Sequence, residues 1–154
     1  MGDTPRLEHR IMTSWRDGAT QQSQDDLDGL LKVTLSFAQQ MLAQAGEFYP
    51  FGDVVTVNGE PQLFAADPGQ GEHPASGDVR ALLLDGMRQA RGKFRAIAVC
   101  FDVRLPDSDA IRVELEHQDG HAMAVMLPYK KKRLVRGFDY QDLRAAMTDK
   151  TIWA

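Results

Sequence analysis

Apolar residues recur at helical spacing from Leu27 through Leu30, Leu31, Ala38, Met41 and Leu42 to Ala45. That period predicts an amphipathic helix, and Gly46 supplies the left-handed cap that ends it. Ser23 followed by Asp26 approximates a capping box, while Asp25, Asp26 and Asp28 suit the positive end of the helix dipole. A second helix is expected from about Val79 to Arg91, with Val79, Leu82, Leu83, Met87 and Ala90 on one face and Gly92 as its cap. Elsewhere the period drops to two. Phe48 to Val57 reads as extended, Asn58-Gly59 as a hairpin turn, and Gln62 to Ala66 as the return strand. Pro61 at the start of that strand points to a sheet edge or a bulge.

The longest strand pattern runs from Phe94 to Leu105. Ile97, Val99, Phe101, Val103 and Leu105 form one face, and the small residues Ala96, Ala98 and Cys100 form the other, where a helix could approach closely. A second hairpin joins Ala110–His117 to His121–Tyr129, and its register can be chosen. A three-residue loop Gln118-Asp119-Gly120 pairs Ile111 with Leu127, Val113 with Val125 and Leu115 with Met123. Every apolar residue then shares one face, leaving Glu114 and Glu116 on the other, read as solvated. A two-residue loop would flip one strand and mix the faces, so the three-residue loop is expected. Asp139 and Asp142 suggest a brief helix through Met147, with Thr151-Ile152-Trp153 packing as an extended end. The order α-β-β-α-β-β-(β)-α predicts an α+β fold: an antiparallel sheet of about five strands with two main helices. Roadblock and profilin-like domains share that order by topological analogy.

Length and composition sharpen this picture. A chain of 154 residues fits one domain, here expected over 25–154 behind a loosely ordered tail over 1–24 that Ile11 and Trp15 could anchor. Cys100 is the sole cysteine, which excludes an internal disulfide and a cysteine-based zinc site. With no secretory pattern and no run of eighteen apolar residues, a cytoplasmic protein is expected, and no membrane partner. Charge is uneven. Residues 25–78 hold nine acids against one base, and residues 79–154 hold fourteen bases against ten acids. Two electrostatic poles would result if these segments stayed apart; packed together in one domain, they would largely cancel.

Two stretches look familiar: Glu47-Phe48-Tyr49-Pro50-Phe51-Gly52, and Ile111 to Gly120 continuing to Leu127-Pro128-Tyr129. Together they resemble small uncharacterised bacterial α+β proteins, some of immunity or accessory type. The resemblance spans about residues 25–138 and carries no catalytic residues across.

Candidate chemistry is sparse. No phosphate-binding loop, dinucleotide fingerprint or nucleophile elbow occurs. His117 and His121 face each other across the hairpin turn, but two ligands fall short of a zinc site, and no metal or other cofactor is expected. Glu114 and Glu116 lack an environment that would tune them for acid–base work. Phe48, Tyr49 and Phe51 read as a seal at the helix–sheet junction more readily than as a binding hot spot. The basic run Lys130, Lys131, Lys132 and Arg133 is a minimal phosphate-contacting footprint, yet the chain is acidic overall and nucleic acid is not the expected partner. Asp25, Asp28 and Asp53 read as exposed acids that could steer a basic protein partner. The leading expectation is a non-enzymatic protein-binding module, immunity-like or accessory, acting by occlusion. An enzyme or small-ligand binder with its site at the 67–77 loop, and a regulatory homodimer of roadblock-like architecture, are the alternatives.

Overall fold

The computed structural model describes residues 15–65 and 76–154. Residues 15–17 are helical. Helix α1 spans Gln21–Ala45 and helix α2 spans Ser76–Gln89. The strands are β1 (Phe51–Thr56), β2 (Pro61–Phe64), β3 (Phe94–Arg104), β4 (Asp109–His117), β5 (Ala122–Lys131), β6 (Phe138–Tyr140) and β7 (Arg144–Met147). They form one antiparallel sheet in the order β2-β1-β3-β4-β5-β6, with β7 also paired to β5. The fold is α+β, with seven strands rather than about five.

Helix α1 lies on one face of the sheet, over a core of Leu27, Leu30, Ala38 and Leu42 from the helix and Ala96, Ala98, Cys100, Val113, Leu115, Met123 and Val125 from the strands. The small-residue face of β3 is thus the one the helix approaches, as its side-chain pattern predicts. On the opposite face α2 packs Val79, Leu83 and Met87 against Val54, Ile97, Val99 and Phe101. Gly52 makes that approach possible. A Cβ there would stand 2.5 Å from Met87 Cε and 3.0 Å from the Ala98 carbonyl oxygen. Among the described residues no helix is long and apolar enough to cross a membrane.

The hairpin register matches expectation: Ile111 pairs with Leu127, Val113 with Val125 and Leu115 with Met123, and Gly120 adopts the positive φ of 110°. Gly46 likewise caps α1 at φ 76°, its N–H donating to the Leu42 carbonyl. Other boundaries move. The α1 N-cap is Thr20, whose hydroxyl oxygen accepts from Ser23 N–H, so the helix starts before the expected box and the domain boundary at 24/25 falls inside it. Trp15 is buried in the α1-side core, whereas Ile11 lies outside the described residues. Gly92 sits in a 3-10 turn after α2 instead of capping it. In the first hairpin, Gly59 alone takes positive φ. Most of the 67–77 loop lies outside the described residues.

Two expectations on the far side of the sheet are corrected. The segment from Asp139 to Met147 contains no helix. Instead β6 and β7 line the outer edge of β5, where Phe138, Tyr140 and Ala145 pack against the α1-side core. A weak capping signal in a short segment yields to a strand edge that would otherwise carry unpaired backbone groups. Nor are Glu114 and Glu116 solvated, because the face they occupy is covered by α2 and the C-terminal segment. Glu114 bridges Arg80 (2.7 Å) and Arg112 (3.2 Å). Glu116 is buried, and its carboxylate accepts from the backbone N–H groups of Thr151, Ile152 and Trp153 at 2.7–3.1 Å. Arg88 and Arg91 donate to the Thr151 and Ile152 carbonyls, so the chain end is strapped down around the buried Ile152 side chain.

Leu115→Ala should therefore lower the unfolding free energy by about 2–5 kcal/mol, a core truncation. Glu116→Ala should cost about 1–3 kcal/mol by leaving its N–H donors unsatisfied. Amide exchange at Ile152 and Trp153 should accelerate with it; unchanged protection at those two amides would show that the strap does not depend on Glu116.

Candidate binding groove

The start of α1 is fixed by a buried polar network. Asp26 accepts two hydrogen bonds from Arg95 of β3, both 2.9 Å, and lies 3.0 Å from His117 Nε2 of β4. Asp119 N–H donates to His117 Nδ1 (3.3 Å), which leaves the Nε2 proton to donate to Asp26. Ser23 hydroxyl donates to the Asp119 carboxylate, and His121 Nδ1 lies 2.9 Å from the same carboxylate. Burial alone would raise the Asp119 pKa, but the hydrogen bonds from Ser23 and from the His121 side chain and backbone outweigh it and hold it down to about 2.

Ser23, His117 and Asp26 have the composition of a hydrolytic relay. Their setting does not suit one. Ser23 is 1% exposed, its hydroxyl is engaged by Asp119, and its oxygen stands 3.5 Å from His117 Nδ1. No substrate can reach that oxygen, and a nucleophile must be within reach of both base and substrate. The cluster is a clasp between α1 and the β4–β5 hairpin. Both histidines adjoin Asp119, but only His117 reaches Asp26, and among the described residues no group of three or more His, Cys, Asp or Glu is placed to hold a metal.

With its start pinned over β3 and β4, α1 covers β1 but leaves the exposed edge strand β2 outside its footprint. A hollow of about 260 Å³ opens there, lined by Asp25, Asp26, Gly29, Leu30, Val33, Asp53, Val55, Gly59 and Pro61. Exposed apolar groups stand in and near it: Val33 in its lining at 52%, Leu63 cross-strand from Asp53 at 66%, and Phe37 at 42%. Phe37 stacks edge-on against Phe51, with ring centroids 4.8 Å apart. Phe48 and Phe51 are buried and seal the junction as expected, while Tyr49 of the same cluster is exposed.

Asp53 is the chemically distinctive group here. It was expected to be exposed, but it sits on β1 facing α1 and is only 9% exposed. The strand alternation that sends Val54 to the α2 side sends Asp53 to the α1 side, and it lies on an inner strand between β2 and β3. Among the described residues its side chain has neither a hydrogen-bond nor an ion-pair partner. Burial raises its pKa to about 6.

The other charged candidates separate. Asp25 lines the same hollow, but Asp28 is turned to Arg16, with contacts of 2.6 and 2.8 Å. Lys130 and Lys131 border a different hollow with Arg104 and Tyr129, into which Asp107 and Asp109 also project. Lys132 stands 3.8 Å from Asp139, and Arg133 is exposed in the connection to β6. The basic run is thus divided and partly offset by acids. Sequence reading singled out Asp53 and Asp25 but missed what joins them, the hollow itself; Gly29, a glycine inside a strong helical pattern, was the available signal.

Asp53 carries a sign-definite consequence for stability. Its folded pKa of about 6 exceeds the ordinary carboxylate value, so the folded state holds the proton more tightly. Asp53's contribution to stability is most favourable where it is protonated in both states and falls as pH rises from about 4 through about 6. Asp53→Asn should be more stable than the parent by about 1–2 kcal/mol at pH 7.5, a figure discounted for the hollow's opening to solvent, with the difference vanishing near pH 4. Paired urea titrations across that range check this; a variant less stable at neutral pH would mean Asp53 has a structural partner.

Comparison with protein families, curated proteins and solved structures finds no match to this chain.

Proposed function

We propose that this chain is a protein-binding module, of the accessory or immunity type, that acts by occupying a partner's surface through the groove between α1 and the β1–β2 hairpin. The observation that carries this reading is Asp53: a largely buried carboxylate, unpartnered among the described residues, that lines a mainly apolar hollow with exposed Val33, and near exposed Leu63, its cross-strand partner, and Phe37. Keeping such a group costs stability, and a cost of that kind is characteristic of a residue retained for binding. Gly29 points the same way. A helix interior favours almost any residue over glycine by up to about 1 kcal/mol. A Cβ at Gly29 would meet nothing within 4 Å, so packing does not require a glycine there, while any larger side chain would intrude on the groove.

A photo-crosslinking residue placed at Val33 or Leu63 in the native cell should give discrete adducts heavier than the chain, and the same residue at exposed Val135 should not. Gly29→Leu should abolish the adducts while preserving the fold. Adducts only at twice the chain mass would replace this reading with a homodimer, and an absence of adducts at both rim positions would overturn it.

A further inference from the structure

From the groove's chemistry we infer its occupant, an inference that rests on the docking role proposed above: a lysine or arginine side chain projecting from the partner protein, its stem lying on Leu30, Val33 and Val55 and its charged head reaching Asp53. The hollow of about 260 Å³ suits a single long side chain. Leu30, Val33, Val55 and Pro61 give it aliphatic walls, and Asp53 gives it a carboxylate unpartnered among the described residues, a pairing complementary to a side chain with an apolar stem and a cationic tip. The chain's own cation nearby is already engaged. Arg95 reaches toward Gly59, where an added Cβ would stand 3.2–3.3 Å from its guanidinium nitrogens, and it is held by Asp26 in a two-point contact, which leaves Asp53 and Asp25 facing the hollow with no cation on them among the described residues.

A free alkylamine shares the head-group chemistry, but it would leave the apolar rim bare. Val33, Phe37 and Leu63 extend beyond the hollow, and a surface of that kind is covered by protein. Capture by strand addition along β2 is disfavoured, because that edge strand is four residues long and begins with Pro61, which has no N–H to offer. Side-chain insertion is the mode left to it.

The groups facing Asp53 set the pH dependence. From α1 they are Asp25 and Asp26, and from β3 they are Arg95, paired with Asp26, and the buried Cys100 thiol, which the Asp53 charge helps to push up. Asp53 itself titrates at about 6, so binding of a cation should weaken as pH falls through that value.

The test uses the full chain, immobilised, and a phage-displayed library of random twelve-residue peptides selected at pH 7.5. The expected result is enrichment of peptides carrying a lysine or arginine beside apolar residues. Their affinity should drop at least tenfold with Asp53→Asn, and again for the parent at pH 5. Replacing the selected cation by norleucine in a synthetic peptide should have a similar effect. Enrichment of apolar peptides without a cation, lost with Gly29→Leu but unaffected by Asp53→Asn, would overturn the cation slot while leaving the docking groove standing. Selected peptides indifferent to both substitutions, or no enrichment at all, would overturn both.

Discussion

The carboxylate of Asp26 reaches from the first turns of α1 to two strands at once, meeting the Arg95 guanidinium on β3 and the His117 ring on β4. Apolar packing alone would let a helix slide along or pivot on the small-residue face of β3, since burial is non-directional. A two-point guanidinium contact and a buried imidazole fix both position and direction. Losing one member of such a buried set strands the others without partners, at a cost of about 3–5 kcal/mol. The placement of α1 over β3 and β4, and hence the hollow between it and the β1–β2 hairpin, follows from this clasp.

The hollow is where the fold gives up local stability. Apart from the buried Trp15 indole N–H, nearly everything else described on the α1 face is satisfied: the caps are made, the apolar side chains interlock, and Asp26 and Asp119 have several partners each. Asp53 and Gly29 depart from that consistency, one by desolvating a charge and the other by leaving a helix position empty. Local choices that contradict an otherwise consistent fold tend to cluster at functional sites. That two such departures border one hollow gives the groove more weight than either residue would carry alone.

Much of the architecture was legible because it rests on period and turn chemistry. The hairpin register followed from the requirement that Val113, Leu115, Met123 and Val125 share a face, and Gly46 marked the helix end by its conformational freedom. What escaped were consequences of tertiary covering. Glu116 alternates to the face opposite the α1 core as its position in the strand dictates, yet nothing local says that a distant chain end will lie over it. The turn-like residues around Asp139 favoured a helix until the β5 edge offered backbone partners. For the site, composition draws attention to an acidic region, but it misjudges the exposure of Asp53, because an aspartate on a strand reads as solvated. Asp28 and Asp25 are three residues apart on one helix, and only the fold shows that Arg16 takes the first and the groove the second.

The last strands also set an order of events. Since β6 and β7 both pair with β5, the outer edge of the sheet is completed by residues 138–147, and the strap behind it by residues 151–153. During synthesis, β1 to β5 and both helices can assemble before those residues leave the ribosome, with the β5 edge bare in the meantime. The nascent chain therefore passes through a stage whose hydrogen-bonding edge is open to wrong partners, until residues 138–147 close it.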